Sequence, residues 1–328
     1  MSVLLTRAPL RISLGGGGTD LPSYYRKHGG FLVAGAINKH VYMLTHTAFQ
    51  RRFRMKYSKF EEVDDPREIR HPILREALLR HWPGDPLEIA SVADVPAGTG
   101  LGSSGSFTVC LLKALALGRR ASTTPMALAE DACAIEIDVL GEPVGKQDQY
   151  VAAHGGVCAY VFNPDGTVEV RALELGPVVL GKLRNNLLLF YTGEARSASA
   201  VLADQDTRTE ANDQAMLENL HRVKEIGHLS CDLLEAGDLD AYADLMHAHW
   251  EMKRARSPLI TNERIDDLYT LARRSGAAGG KLVGAGGGGF LLVYTAHPDD
   301  TRQAMAASGA PELRFDFEFE GCVGTEYR

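Results

Sequence analysis

The sequence predicts a mixed fold of strands and helices in two domains, and three observations carry that prediction. The chain has 328 residues, a length that suits one large or two ordinary domains. A strand pattern over residues 87–95 runs into a Gly-rich loop and then an apolar helix pattern at 107–117, an order of elements that binds phosphate at a helix N-terminus. The pattern also changes character near residues 176–183, with short strands common before it and long helices after it.

The central loop reads Pro96-Ala97-Gly98-Thr99-Gly100-Leu101-Gly102-Ser103-Ser104-Gly105. Glycines let backbone N–H groups turn inward with no side chain in the way, and the following helix adds unpaired donors and a partial positive charge. Ser103 and Ser104 fall where the helix would be capped; either hydroxyl could instead touch a phosphate or a magnesium ion. The loop lacks the Gly-Lys-Ser/Thr ending of a P-loop. Gly100, Gly102 and Gly105 satisfy GxGxxG, but a dinucleotide site also needs an acidic residue about 20 positions on, at the end of a second strand. Here residues 119–126 read as a turn and Glu130 lies in the next helical stretch. Gly284, Gly286 and Gly289 repeat the same spacing, so the spacing alone is unspecific. A bare Gly-rich turn is the plainer alternative.

Composition narrows the function. Hydrophobic residues make up 45% and charged residues 23%, values of a soluble globular protein. The net charge of −7 argues against general binding of nucleic acid or a membrane surface, so an anionic ligand needs local basic groups. The five cysteines are scattered without CxxC, which points to a reducing cytoplasm and away from structural zinc or disulfides. No signal peptide and no membrane-spanning run are read in the chain.

Taken in order, residues 3–13 alternate as a strand that Pro9 bends or sets at an edge. Leu14-Gly15-Gly16-Gly17-Gly18-Thr19-Asp20-Leu21-Pro22 follows; it is either a flexible turn or a loop pressed against a ligand, with Thr19 and Asp20 as polar contacts. Residues 31–50 read as strand, turn and strand, 53–63 as another strand, 71–81 as a helix and 83–86 as a turn. Residues 123–140 read as one helix with Pro125 in its first turn, and Glu136 in it is either on a solvated face or turned to a metal. Residues 141–150 break that helix and start another. Asp148 there is either an ordinary helix-start carboxylate or a catalytic one. Residues 155–162 and 168–175 read as a hairpin about Asn163-Pro164-Asp165-Gly166. Beyond the change of character come a strand at 187–191, helices at 213–236, 239–254 and 262–275, a strand at 290–294, a helix at 299–307 and a last strand at 313–319. His247 and His249, two apart on a helix, make a poor metal pair. Lys253, Arg254 and Arg256, with Arg196 elsewhere, are either a solvated charge run or a place for a substrate phosphate. Lys281-Leu282-Val283-Gly284-Ala285-Gly286-Gly287-Gly288-Gly289-Phe290 is a further Gly run before a strand, either a mere loop or, beside the other two, a sign of backbones gathered around one ligand.

Three motifs in this order resemble the GHMP small-molecule kinases: Ala8-Pro9-Leu10-Arg11-Ile12-Ser13-Leu14, the loop from Pro96 to Gly105, and Gly284 to Phe290. Within that family Leu14-Gly15-Gly16-Gly17-Gly18-Thr19-Asp20-Leu21-Pro22, Gly145-Lys146-Gln147-Asp148-Gln149 and Lys281-Leu282-Val283-Gly284-Ala285-Gly286 look most like the kinases of D-glycero-D-manno-heptose 7-phosphate. Fucokinase-like sugar 1-kinases share these features. The resemblance implies a two-domain α+β fold, with an N-terminal ATP-binding domain like ribosomal protein S5 domain 2 over residues 1–178 and a ferredoxin-like C-terminal domain over 179–328.

It implies ATP and Mg2+ as cofactors and phosphorylation of an anomeric hydroxyl. By the resemblance, Asp148 is the catalytic base and Arg11 stabilises the transferred phosphoryl. Pro96, Gly98, Gly100, Leu101, Gly102, Ser103, Ser104 and Gly105 hold ATP, and Ser104 and Glu136 lie on the magnesium side. Gly17, Gly18, Thr19, Asp20, Gly286 and Gly287 contact the sugar. Arg196, Lys253, Arg254 and Arg256 are the candidates for a distal sugar phosphate. Gly17 and Gly18 stand where galactokinase has Glu-His, which argues against galactose and leaves room in the sugar pocket. The expected partner is a small sugar phosphate, with neither nucleic acid nor membrane; a homodimer is left open. The alternatives are another sugar or cyclitol phosphate as acceptor, or a nucleotide-binding regulator that has lost catalysis.

Overall fold

In a computed structural model, residues 2–193 and 199–327 are described, and they form two sheets with helices packed on each. Before the change of character lie β1 (Val3–Gly15), α1 (Pro22–His28), β2 (Gly30–Thr47), β3 (Phe53–Lys56), β4 (Phe60–Val63), α2 (Pro72–His81), β5 (Leu87–Ala93), α3 (Ser103–Gly118), α4 (Pro125–Cys133), α5 (Gln147–His154), β6 (Val157–Phe162) and β7 (Val168–Ala172). After it come α6 (Pro177–Asn186), β8 (Leu187–Tyr191), α7 (Ser199–Glu210), α8 (Gln214–Ala236), α9 (Leu239–Arg256), α10 (Glu263–Arg274), β9 (Ala277–Leu282), β10 (Phe290–Thr295), α11 (Pro298–Ala307) and β11 (Val323–Tyr327).

The first sheet runs β11-β1-β2-β5-β3-β4, with β6 pairing β2 and carrying β7. β2 is the spine. Its first part pairs with β6, its last part with β5, and nearly its whole length with β1. The turn expected within 31–50 is absent, and one 18-residue strand runs through. The turn signal at Asn38-Lys39 is a bulge, since Ile37 opposes Leu10 while His40 opposes the adjacent Pro9. A proline without a donor sits at that break in the ladder. The second sheet is β8-β10-β9, all antiparallel.

Three large apolar cores follow from this layout among the described residues, beside a small cluster of Tyr24, Met216 and Leu220. One lies between the first sheet and α2–α5, with Val109, Leu111 and Leu115 of α3 fully buried as its all-round apolar pattern predicts. A second belongs to the C-terminal helices and sheet, around Trp250, Leu188 and Leu268. The third joins the halves: Leu10, Ile12 and Leu14 of β1 meet Tyr242 and Met246 of α9 and Leu292 of β10. The Tyr242 hydroxyl donates to the Leu14 carbonyl at 3.1 Å across that joint. This core places the C-terminal half over the inner end of β1.

Two further readings are corrected. Residues 123–140 are not one helix; α4 passes into a wider π-helical turn, Ala134–Val139. The last strand is β11 rather than residues 313–319. There the alternating Leu313, Phe315 and Phe317 pack on the joint between the halves, with only isolated bridges at Glu312 and Phe317. Among the described residues no helix is long and apolar enough to cross a membrane, and all five cysteines are free and buried.

Candidate active site

Strand β1 delivers Arg11, 4% exposed, to the mouth of the cleft between the halves. Its Nε and Nη2 donate to Oδ1 of Asp148 at 2.7 and 2.6 Å, and its Nη1 to the Gly100 carbonyl at 2.5 Å. Asp148 is the second residue of α5. Asp20 sets where that helix starts, because its Oδ2 accepts from the Gln147 N–H and its Oδ1 from the Gly18 N–H, both at 3.1 Å. One carboxylate thus ties the Gly15–Gly18 loop to the helix that carries Asp148. Burial raises its pKa above the usual carboxylate value, which its N–H partners and the neighbouring Asp148 only partly modify.

Two glycine requirements fix the phosphate loop. The N-cap of α3 is Gly102, left-handed at φ 79°, with no side-chain cap. Ser103 and Ser104 are the first two helical residues and not caps, so the helix N-terminus keeps its N–H donors for an anion. A Cβ on Gly105 would stand 2.7 Å from Cβ of Asp148, so only glycine lets α3 lie this close to α5.

Below the loop, Glu136 is 1% exposed in the π-helical turn. The Ser104 hydroxyl donates to its Oε2 at 2.6 Å and the Gln149 amide to its Oε1 at 3.0 Å. Burial, the largest influence, raises its pKa, while these two donors pull it down. A hydroxyl and a carboxylate at a phosphate loop fit Mg2+, which is usually held by one or two carboxylates plus substrate phosphates and water. Among the described residues no group of three or more His, Cys, Asp or Glu is placed to hold a metal ion.

The opposite wall is basic. Positions 249, 253 and 256 share one face of α9, and that face meets Lys281 of β9. Lys253 gives its ammonium to the carbonyls of Leu282 and Gly284 and so pins the last Gly run to α9. Arg256 spends Nε on Asn219 and Nη1 on Gln205, both close, and its buried Nη2 has no hydrogen-bond partner among the described residues. Among the described residues Lys281 makes polar contacts with Ser13 Oγ at 3.5 Å and His249 Nδ1 at 3.4 Å. Burial lowers the pKa of Lys281 to about 7, helped by the Arg11 and Arg256 charges, and drives Lys253 and His249 down as well.

One cleft brings together Arg11, Asp148, Gly98, Gly100, Gly102, Ser103, Ser104, Gly17, Gly18, Asp20, Gly286, Lys253 and Arg256. Other expected residues do not line it. The Thr19 hydroxyl is fully buried and spent on backbone: it donates toward the Gly16 and Phe31 carbonyls and accepts from the Phe31 N–H, so it shapes the loop rather than facing a sugar. Pro96, Leu101, Gly105 and Gly287 do not line it either, and Glu136 lies behind Ser104. Arg254 faces away, paired with Glu251 and Asp266 on the surface. Arg196 lies outside the described residues. Sequence reasoning missed Lys281, His249, Ser13, Gln147 and Gln205, which also line the cleft. The spacing of His249, Lys253 and Arg256 was a signal for His249; Gln205 had none.

The family description "GHMP kinases N terminal domain" matches residues 72–156, and "GHMP kinases C terminal" matches residues 231–310. A Campylobacter jejuni protein named D-glycero-alpha-D-manno-heptose 7-phosphate kinase is 26% identical, with 90% of each chain covered. An Arabidopsis thaliana bifunctional fucokinase/GDP-fucose pyrophosphorylase is 26% identical over 93% of this chain, which spans only 30% of that protein. A solved structure from Bacteroides thetaiotaomicron, described as a D-glycero-D-manno-heptose 1-phosphate kinase, superposes with a TM-score of 0.81 at 23% identity, covering 99% of both chains.

Proposed function

The chain belongs to the GHMP kinases and is an ATP-dependent sugar kinase, and on that premise we propose that it phosphorylates the anomeric hydroxyl of D-glycero-D-manno-heptose 7-phosphate to the 1,7-bisphosphate. The observation that carries this is the Asp148–Arg11 pair between an uncapped α3 N-terminus and a basic wall whose Lys253, Arg256 and Lys281 make no ion pair with a carboxylate among the described residues. The loop from Gly98 to Gly105 and the free N–H groups of α3 hold the ATP phosphates. Asp148 keeps Oδ1 on Arg11, and its Oδ2 takes no hydrogen bond among the described residues, so Oδ2 orients the acceptor hydroxyl and receives its proton. Phosphoryl transfer passes through a loose transition state, so position and charge matter more than base strength. The Arg11 guanidinium meets the charge that develops on the moving group.

Ser104 and Glu136 would hold Mg2+, which neutralises phosphate charge when bound. Gly17, Gly18, Asp20 and Gly286 border the sugar. We also propose the division at 178/179, which falls in the first turn of α6; β11 nevertheless returns to pair with β1. Cytoplasmic residence and use as a soluble catalyst belong to the same reading.

The test is ADP release with ATP and Mg2+ over heptose 7-phosphate, heptose 1-phosphate, free heptose, fucose, galactose, mevalonate and homoserine. Turnover confined to heptose 7-phosphate is expected. Preference for an unphosphorylated sugar overturns the acceptor and keeps the kinase; tight ATP binding with no turnover favours a regulator, against which Asp148, Arg11, Ser104 and Glu136 all argue.

A further inference from the structure

We propose that Lys281 and Arg256, backed by His249, form the subsite that grips the acceptor's own phosphomonoester, in the space that Gly17 and Gly18 leave open. This names the distal-anion site of the proposed acceptor and rests on that reading. Four observations support it. Lys253, Arg256 and Lys281 are each more than nine-tenths buried, and none pairs with a carboxylate among the described residues. Uncompensated buried cations are unfavourable, so a cleft that gathers them is built for an anion. Among the described residues Lys253 is committed to two carbonyls, whereas Lys281 makes only long contacts and the Arg256 Nη2 none, which leaves these two to take a ligand. Finally, the Gly15–Gly18 loop faces them. A Cβ on Gly18 would lie 2.7 Å from the Arg256 Nη1, and one on Gly17 would lie 2.9 Å from Ser13 Oγ, the hydroxyl that Lys281 contacts. An acidic side chain at 17 or 18 would neutralise this wall; two glycines leave it bare.

The arrangement also explains selectivity by position. Arg11 and Asp148 serve the reacting hydroxyl, and Lys281 and Arg256 meet the acceptor's phosphate from the C-terminal half of the same cleft. An acceptor must therefore carry both groups into one cleft. His249 is kept neutral by burial and the surrounding cations, so its Nδ1 accepts from Lys281 and orients the ammonium.

Two measurements on the full-length enzyme separate this subsite from the acceptor reading. The first is the ratio of kcat/KM for heptose 7-phosphate to that for free heptose, in the wild type, in Lys281→Met and in Arg256→Lys. Loss of one charged hydrogen bond to phosphate predicts a fall of about 10- to 100-fold in that ratio for Lys281→Met, expressed in KM for the phosphorylated acceptor. Arg256→Lys should lower it less. The second is calorimetric titration with inorganic phosphate, which should bind the wild type in competition with acceptor and not with ATP, and should fail to bind Lys281→Met. Thermal melts establish that each variant is folded. Turnover of heptose 7-phosphate with an unchanged ratio in both variants overturns the subsite and leaves the acceptor reading intact. Phosphate binding that depends on Lys281, without turnover of heptose 7-phosphate, supports the subsite and removes that acceptor. Absence of phosphate binding to the wild type together with no preference for the phosphorylated sugar overturns the subsite.

Discussion

At the scale of residues, the cleft depends on carboxylates and cations that differ in how their charge is met. Asp148 is paired by Arg11 and stays near solvent, with a side chain 29% exposed, whereas Glu136 is enclosed. Replacing Asp148 by Asn keeps the shape and removes the carboxylate proposed as proton acceptor. We expect kcat to fall about 10²- to 10⁴-fold while ATP affinity is nearly retained, checked by ADP release and by nucleotide titration. Lys281 gives a pH prediction. Around it stand Arg11 of β1 and His249, Lys253 and Arg256 of α9, with Asp20 and Asp148 across the cleft. Burial holds its pKa at about 7, so in the empty enzyme it is charged below that pH and neutral above it. A bound phosphate dianion favours the charged ammonium and raises that pKa. Affinity for a phosphorylated acceptor should therefore weaken by up to about tenfold per pH unit above pH 7, with one proton taken up on binding. KM measured against pH reads this out, and Lys281→Arg should flatten the dependence.

Elements explain why the glycines are where they are. The loop before α3 and the loop after β9 interlock: a Cβ on Gly284, at φ +77°, would sit 2.6 Å from the Gly100 Cα, and one on Gly100 would sit 2.6 Å from the Val283 carbonyl oxygen. Gly284→Ala combines a left-handed alanine, costing about 1–2 kcal/mol, with this backbone clash. It should weaken ATP binding at least about tenfold and lower the melting temperature, measured by nucleotide titration and thermal unfolding. The π-helical turn has a comparable role, since it carries Glu136 beneath Ser104. Ser104→Ala should raise the Mg2+ concentration needed for half-maximal rate, because it removes the donor to Glu136 and the hydroxyl proposed to hold the metal together.

For the whole molecule, the shared core between β1 and α9 makes the halves one cooperative unit, and β11 adds a ladder that returns the chain's last strand to its first. Deleting residues 323–328 exposes the edge of β1 and should cost on the order of 2–4 kcal/mol, from a few ladder hydrogen bonds and the apolar contacts beneath them. Calorimetry should still show one transition, at lower temperature, because the joint core persists. Two transitions in the intact chain would mean that the joint contributes little.

The sequence determined the local chemistry. It made legible the Gly loop leading into α3, the helices α8 to α10, the hairpin β6–β7, the family, and the expectation that Arg11 and Asp148 stand together, as they do. These are legible because periodicity, caps and glycine runs are short-range signals. Only the tertiary structure decided which polar groups face a ligand. Thr19 and Asp20 are adjacent, yet one is spent on the loop backbone and the other ties that loop to α5, more than a hundred residues away in the chain. Arg254 and Arg256 are two apart, yet a helix turns one to solvent and the other into the cleft. Lys281 gains its meaning from Ser13 and His249, which arrive on β1 and α9. The continuous β2 and the late strand β11 were hidden for the same reason, since a bulge and a return to the first strand are decided by a distant partner rather than by neighbours in the chain.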